Sequence, residues 1–154
     1  MAEFIKVTEQ SSLYDNLEQM SVTDLLTNLN NEDQKVALAV RESIPVMAAL
    51  VEKIVERMEK GGRVFYIGAG TSGRLGVLDA SELPPTYGVS PDLVIGLIAG
   101  GDKALRSAVE SAEDDAHKAW NELKEFDANE LDTLIGIAAS GTTPYVIGGL
   151  RDAR

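Results

Sequence analysis

Apolar residues in the first 60 positions recur with a helical period. Ser21, followed three residues later by Asp24, predicts the start of a short helix. Asn31 with Gln34 predicts a second helix start, after which apolar residues are spaced by three and four up to Gly61-Gly62. Pro45 lies inside this stripe and predicts a kink near residues 41–44. Residues 1–20 are polar and predict an arm with at most a short helix.

After Gly62 the pattern changes to short, nearly continuous apolar runs. They begin at Val64, Leu93 and Thr133, and each is followed by a small-residue loop and a helical pattern. The helices are predicted over about residues 72–83, stopped by Pro84-Pro85, then over 103–126 and from 143 onwards. Such alternation indicates an α/β fold, a three-layer sandwich with a parallel sheet covered on both faces.

The loops after the first and third runs combine glycine with hydroxyl residues. Gly68-Ala69-Gly70-Thr71-Ser72-Gly73 fits the GxGxxG pattern of dinucleotide-binding proteins. That class also needs an acidic residue at the end of the next strand, where this chain has Ala99-Gly100-Gly101, which argues against NAD. The third run ends in a similar loop, Ala139-Ser140-Gly141-Thr142-Thr143. Two such loops at one sheet edge favour binding of a phosphate ester by N–H and hydroxyl groups; tight turns without a ligand are the alternative.

Three charged residues are candidates for the chemistry. Arg74 falls in the first turn of a predicted helix, where a cation opposes the helix dipole unless an anion binds nearby; an ion pair with Asp79 is the alternative. Glu82 lies near the end of the same helix among apolar neighbours, a setting that would raise its pKa. Glu113 adjoins the apolar stripe of the 103–126 helix and could point along the sheet edge; a solvated helix face is the alternative.

Composition excludes several classes of protein. The 154 residues include 14 Lys plus Arg and 25 Asp plus Glu, a formal charge of −11, which excludes a nonspecific nucleic-acid binder. No apolar run reaches the ~18 residues of a membrane span and the N-terminus lacks a signal-peptide layout, so we expect a cytoplasmic protein without a membrane partner. Without Cys and with His117 alone, no Cys- or His-based metal site is expected. The chemistry is left to carboxylates, hydroxyls, Arg, Lys, Tyr and backbone amides.

The residues from Tyr66 to Glu82, with Pro84-Pro85-Thr86-Tyr87-Gly88, resemble the signature of the N-acetylmuramic acid 6-phosphate etherases. Residues 96–101, 112–115 and 136–141 are similar to later blocks of that family, in the same order. The resemblance covers the chain but only about the first half of such an enzyme. It implies a SIS (sugar isomerase) domain that binds phosphosugars. Residues 1–60 would then form an N-terminal helical arm and residues 61–154 the first part of an incomplete SIS domain.

The resemblance also implies a reaction without a cofactor. The D-lactyl ether of N-acetylmuramic acid 6-phosphate would be cleaved to N-acetylglucosamine 6-phosphate and D-lactate. The family's base, which removes the C2 proton of the open-chain sugar, matches Glu113; its acid, which protonates the departing ether oxygen, matches Glu82; water then adds at C3. The implied substrate-binding residues are Gly70, Thr71, Ser72, Gly73, Arg74, Ser140, Gly141 and Thr142.

The chain departs from the family pattern at two places. Ser11-Ser12 stand where an Arg-Asn pair is usual, and Thr142 stands where an Arg is expected. The family's pocket is also formed with a second subunit, which implies a homodimer for a full-length protein. Two alternatives stay open: a noncatalytic phosphosugar sensor like the related glucokinase regulatory protein, and a dinucleotide oxidoreductase.

Overall fold

The structure is a computed structural model that describes residue 8 and residues 10–154. The remaining residues of the predicted polar arm, 1–7 and 9, lie outside the described residues. The chain divides into two compact units, Met1–Lys53 and Ile54–Arg154. In the described part of the arm, Leu17–Gln19 form a 3₁₀ turn.

A single helix, α1 (Val22–Met58), replaces the two helices predicted for this region. Ser21 caps its start as predicted, since its hydroxyl accepts a hydrogen bond from the Asp24 N–H at 3.1 Å. The expected second start at Asn31 is wrong. Polar side chains one turn apart stabilise the helix over residues 30–35. Gln34 donates a hydrogen bond to Asn30 at 2.7 Å, and Lys35 forms an ion pair with Glu32 at 2.6 Å.

The second unit is built on the predicted parallel sheet. Its strands, in the spatial order β2-β1-β3, are β1 (Val64–Gly68), β2 (Val94–Ile98) and β3 (Thr133–Ile137). Gly68 pairs with Ile98 on one side and with Ile137 on the other, so all three strands end at one edge. The helices that connect or follow them are α2 (Gly70–Tyr87), α3 (Gly101–Arg106), α4 (Lys118–Glu125) and α5 (Pro144–Asp152).

Helices cover the two faces of the sheet, which confirms the predicted α/β sandwich. On one face, Val64 and Val94 pack against Ala80 of α2 and against the end of α1. On the other face, Ile67 packs against Ala119 of α4 and against the first turn of α5. The chain therefore leaves β1 towards one face and β3 towards the opposite face.

Arg63 and Asp132 join the beginnings of β1 and β3. The Arg63 guanidinium donates to both carboxylate oxygens of Asp132, at 3.1 and 2.7 Å, and the Arg63 N–H donates to the same carboxylate at 2.8 Å. Burial by itself raises the pKa of Asp132, but the bonds from Arg63 and from the Asn129 N–H outweigh it, so the pKa lies below its ordinary value.

The helix after β1 is longer than predicted at both ends. It begins at Gly70 rather than near Ser72 and continues through Pro84 and Pro85 to Tyr87, so the prediction that the prolines stop it is wrong. Because proline has no N–H, the carbonyls of Ala80 and Ser81 lack their usual donors four residues later, and the helix ends two residues after Pro85. The helix ends where Gly88 adopts φ 68° and its N–H donates to the Pro84 carbonyl at 2.8 Å.

The predicted helix over residues 103–126 is wrong. Two short helices, α3 and α4, flank residues 107–117, which form a loop. Asp115 starts a new helix within the run, because its carboxylate accepts hydrogen bonds from the N–H groups of His117 and Lys118 at 2.9 and 3.1 Å. Ser111 adopts φ 57°, a left-handed conformation that a helix interior does not allow. Glu113 consequently lies in a loop and not on a helix face.

Candidate active site

The first turn of α2 presents free backbone donors at the carboxyl edge of the sheet. Ala69 precedes the helix in extended conformation without a side-chain cap, and Gly70 adopts φ 54°. The first N–H to reach a carbonyl of the same turn is that of Gly73, which donates to Ala69 at 3.2 Å. The N–H groups of Gly70, Thr71 and Ser72 therefore have no acceptor within the helix. Together with the hydroxyls of Thr71 and Ser72, they form a site that suits an anion.

Gly73 lets this turn sit close to the strand that leads into it. A Cβ at this position would lie 2.7 Å from the Gly68 carbonyl oxygen and 2.6 Å from the Cγ1 atom of Ile98. The third glycine of the GxGxxG pattern thus has a packing role, which does not depend on a dinucleotide.

Arg74 faces the same region from the first turn of α2. Its Nε donates to the Leu105 carbonyl at 3.1 Å, which orients the guanidinium towards α3. The ion pair with Asp79 that the spacing allowed is not formed. Asp79 instead lies near Tyr66, and burial together with the Asp79 carboxylate raises the pKa of Tyr66 to about 12. Arg74 is therefore a cation at a helix N-terminus without that carboxylate partner.

A cavity of about 230 Å³ brings Arg74 together with Glu113. Its charged lining residues are Arg74, Glu110 and Glu113, and Gly70 lines it at the start of α2. The rest of the wall consists mostly of small apolar side chains: Ala69, Ala99, Ala104, Ala108, Val109 and Ala112. The start of α2, a cation and two carboxylates thus share one small cleft.

The loop after β3 lies at the same sheet edge but outside the lining of this cavity. The Ser140 and Thr142 hydroxyls hydrogen-bond each other at 2.8 Å, and the Thr142 N–H donates to Ser140 at 3.2 Å. Because β1 and β3 are neighbours whose helices leave towards opposite faces, a crevice is expected between their loops. This topology places Ser140, Gly141 and Thr142 beside the Gly70 turn, with no side-chain hydrogen bond or ion pair between the two loops among the described residues.

The first turn of α5 differs from that of α2 because its donors are in use. Pro144 has no N–H, the Tyr145 N–H donates to the Glu113 carbonyl at 2.9 Å, and the Val146 N–H donates to Thr143 at 3.1 Å. We expected both helix starts to offer N–H groups to an anion, and at α5 that expectation is wrong. This turn instead holds the backbone of Glu113.

Glu82 does not share the cleft in this chain. It lies twelve residues after Gly70, which corresponds to about 18 Å along the α2 axis. Its side chain is exposed, so the apolar setting that we expected is absent; Ala80 points into the core, and Leu78 is itself exposed. With Leu75 and Leu78, Glu82 forms an exposed stripe on the outer side of α2, at spacings of three and four.

Two features of the site were missed in the sequence. Glu110 lines the cavity, and Tyr145 holds the Glu113 backbone, but neither is part of a recognisable motif. The small residues Gly148 and Gly149 in α5 were the available signal, because they indicate a helix that is approached closely by other backbone. A Cβ on Gly148 would lie 1.7 Å from the carbonyl oxygen of Ala116, at the end of the Glu113 loop.

Residues 46–154 match the family model described as the glucokinase regulatory protein N-terminal SIS domain. The chain therefore belongs to this family of SIS domains. In the part of the chain that the structure describes, no helix is both long and apolar enough to cross a membrane.

Curated relatives carry a more specific name. The chain is 64% identical over 151 residues to a Bacteroides fragilis protein named N-acetylmuramic acid 6-phosphate etherase, a match that covers 98% of this chain and 54% of the relative. Proteins of the same name from Porphyromonas gingivalis and Caldanaerobacter subterraneus are 64% and 56% identical, over 98% and 90% of this chain and 55% and 45% of the relatives. The resemblance to these etherases is confirmed, and the chain spans about half the length of the curated relatives it matches.

Proposed function

We propose that this chain supplies the substrate-binding turn and the acid and base residues of an N-acetylmuramic acid 6-phosphate etherase. The observation that carries the proposal is the single cleft lined by Gly70, Arg74 and Glu113. In this proposal, residues 61–154 are the first part of a phosphosugar-binding domain and residues 1–60 its helical arm. The names of the 64%-identical relatives support the choice of substrate.

The phosphate group would bind at the start of α2. Three backbone N–H groups and the Thr71 and Ser72 hydroxyls can surround its oxygens, and the positive end of the helix dipole stabilises its charge by roughly 0.3–1 kcal/mol or more. The Ser140, Gly141 and Thr142 loop would close the other side of the crevice. Arg74 adds a positive charge within the cleft, where an anionic substrate explains its position.

Glu113 would act as the base. The open-chain sugar has an aldehyde at C1, which acidifies the C2 proton, and the Glu113 carboxylate takes this proton. The C2–H electron pair forms a C2=C3 double bond, and the C3–O bond to the lactyl group breaks. The departing oxygen takes a proton from the acid, Glu82, which yields D-lactate. Water then adds across the double bond, with its oxygen on C3 and a proton on C2. A positioned acid or base typically contributes 10²–10⁴-fold to such a rate.

Glu82 would come from a second copy of the chain. It lies about 18 Å along α2 from the Gly70 turn, too far to protonate a group beside Glu113 of the same chain. It stands on an exposed stripe with Leu75 and Leu78, which are 56% and 57% exposed and available to pack against another subunit. A homodimer that places this stripe at the neighbouring cleft would complete the site.

The test uses an extended protein, in which this chain is followed by the part of the Bacteroides fragilis relative that lies beyond the matched 151 residues. It is expected to release D-lactate from N-acetylmuramic acid 6-phosphate. In heavy water the product is expected to carry deuterium at C2, because the C2 proton is lost and regained. Release without deuterium at C2 would contradict the elimination.

Glu82→Gln and Glu113→Gln are each expected to lower release by 10²–10⁴-fold while changing the dissociation constant for glucosamine 6-phosphate less than threefold. Asp114→Asn, an exposed neighbour of Glu113, is the matched control.

Mixing the two inactive variants tests whether Glu82 comes from a second copy of the chain. If acid and base come from different subunits, half of the dimers contain one intact site and about a quarter of the activity returns. No recovery from a mixture shown to exchange subunits would contradict the shared site.

A noncatalytic phosphosugar sensor is the second candidate, because the matching family model is described by the glucokinase regulatory protein. It shares the phosphate-binding turn but needs neither acid nor base. Binding of hexose 6-phosphates by the extended protein without lactate release would favour this function over the etherase.

A further inference from the structure

We infer that Tyr145 is a positioning residue for Glu113, and that it acts through a hydrogen bond of its hydroxyl to Glu122. The inference rests on the proposed function of Glu113 as the base. It concerns a residue that does not itself line the cavity but contacts a residue that does.

Tyr145 contacts the Glu113 loop through its backbone. Its N–H donates to the Glu113 carbonyl at 2.9 Å, which fixes the main chain of the proposed base against the first turn of α5. This is the only backbone bond between the Glu113 carbonyl and α5 in the described part of the chain. The position of the carboxylate in the cleft therefore depends on where the first turn of α5 lies.

The side chain of Tyr145 fixes that turn to α4. Its ring is fully buried, in a cluster with Ile67 and Ala119, and Ala112 of the Glu113 loop packs against the same cluster. Its hydroxyl donates to the Glu122 carboxylate at 2.5 Å. Burial, together with this bond, raises the pKa of Tyr145 far above its ordinary value, so the hydroxyl keeps its proton and remains a donor.

The loop is thus held at two points. Residues 107–117 lead directly into α4, which carries Glu122, while Glu113 within the loop is bonded to α5. One residue, Tyr145, makes both connections. A carboxylate that must meet a C2 proton needs such support, because a misplacement of about 1 Å can cost about 10²-fold in rate.

The experiment compares Tyr145→Phe with the unmodified extended protein. Phenylalanine keeps the buried ring and the N–H but removes the hydroxyl. We expect kcat for lactate release to fall about tenfold, with KM and the dissociation constant for glucosamine 6-phosphate unchanged. Glu122→Ala should lower kcat equally, and the double variant with Tyr145→Phe should be no slower than either single variant. Glu122→Gln can still accept the hydrogen bond, so it should keep most of the rate. Lys118→Met, which removes the other partner of Glu122 at 3.7 Å, is the matched control with unchanged kcat.

A second measurement does not depend on turnover. In the 154-residue chain, the backbone amide of residue 145 should exchange its hydrogen faster in Tyr145→Phe and in Glu122→Ala than in the unmodified chain. The inference is overturned if kcat of Tyr145→Phe equals that of the unmodified protein, or if the exchange rate is unchanged. Absence of lactate release from the unmodified extended protein overturns the proposed function and with it the catalytic part of the inference, while the exchange result still decides whether the hydroxyl fixes this turn.

Discussion

Substitution of Gly148 by alanine tests whether the position of the Glu113 loop controls the reaction. Gly148 lies in α5, directly against the end of that loop, and a Cβ at this position would come within 1.7 Å of the Ala116 carbonyl oxygen. Real Cβ contacts essentially never fall below 3.0 Å. The loop and the helix must therefore separate by at least 3.0 − 1.7 = 1.3 Å.

A displacement of this size is enough to disturb catalysis. Ala116 is three residues from Glu113, in a loop whose other support is the bond to Tyr145. If Glu113 shifts by about 1 Å, we expect kcat for lactate release by the extended protein to fall about 10²-fold. Overpacking at a buried position should also lower the free energy of unfolding by about 1–3 kcal/mol.

Gly149→Ala is the matched control for this substitution. A Cβ there would meet the Cδ1 atom of Ile67 at 2.6 Å and the Cβ of Ala119 at 2.8 Å, which are core contacts outside the Glu113 loop. It should therefore cost a similar free energy of unfolding with a much smaller loss of kcat. Lactate release is measured at saturating substrate, and stability by urea unfolding. Equal losses of kcat in the two variants would refute a specific effect on Glu113, and unchanged kcat in Gly148→Ala would refute the need for its exact position.

Two further predictions concern charge. Arg74→Met should weaken binding of glucosamine 6-phosphate by 10-fold to 100-fold in calorimetry, because it removes the cation beside the α2 turn. Glucosamine, which lacks the phosphate group, is the control ligand, and an unchanged dissociation constant for glucosamine 6-phosphate would exclude a role for Arg74 in anion binding. Asp132→Asn should lower the free energy of unfolding by about 1.5–3 kcal/mol at pH 7. Since the pKa of Asp132 is lowered in the folded state, its carboxylate stabilises the fold above the ordinary value of 3.8. This stabilisation is lost as pH falls through the lower folded pKa. The difference in free energy of unfolding between variant and parent, measured in urea, should therefore shrink below pH 3.8. A difference that stays constant with pH would contradict the role of the charge.

The sheet and the glycine-containing turn after β1 were predictable from the sequence because their signals are local. Each strand is a short apolar run followed by glycine, and the turn after β1 follows from Gly70 and Gly73 at fixed spacing. The same local signals failed where a competing side chain or a distant partner decides the backbone. Asp115 captures the N–H groups that would have continued one helix over residues 103–126, and α2 continues through Pro84 and Pro85 until Gly88 adopts a left-handed conformation.

The candidate site shows the same division. The residues of the α2 turn could be named from their spacing, whereas the surroundings of Glu82 and Glu113 could not. Sequence neighbours suggested an apolar setting for Glu82, but on a helix those neighbours point in different directions, and its side chain is exposed. Glu113 was placed on a helix, while its actual position depends on a bond to Tyr145, 32 residues later in the chain. A contact over such a separation has no periodic signature.

The two helix starts at the sheet edge differ in a way that bears on the proposed reaction. At α2 the first-turn N–H groups have no acceptor within the helix, so this end keeps its capacity to bind an anion. At α5, Pro144 has no N–H and the Tyr145 N–H donates to the Glu113 carbonyl, so few N–H groups of this turn remain for a ligand. An elimination needs both properties, since the phosphate must be held by groups that are free until it binds, while the base must be held by groups that are already satisfied. In the proposed etherase, α2 would therefore bind the substrate and α5 would hold the base, although both helices begin from equivalent ends of adjacent strands.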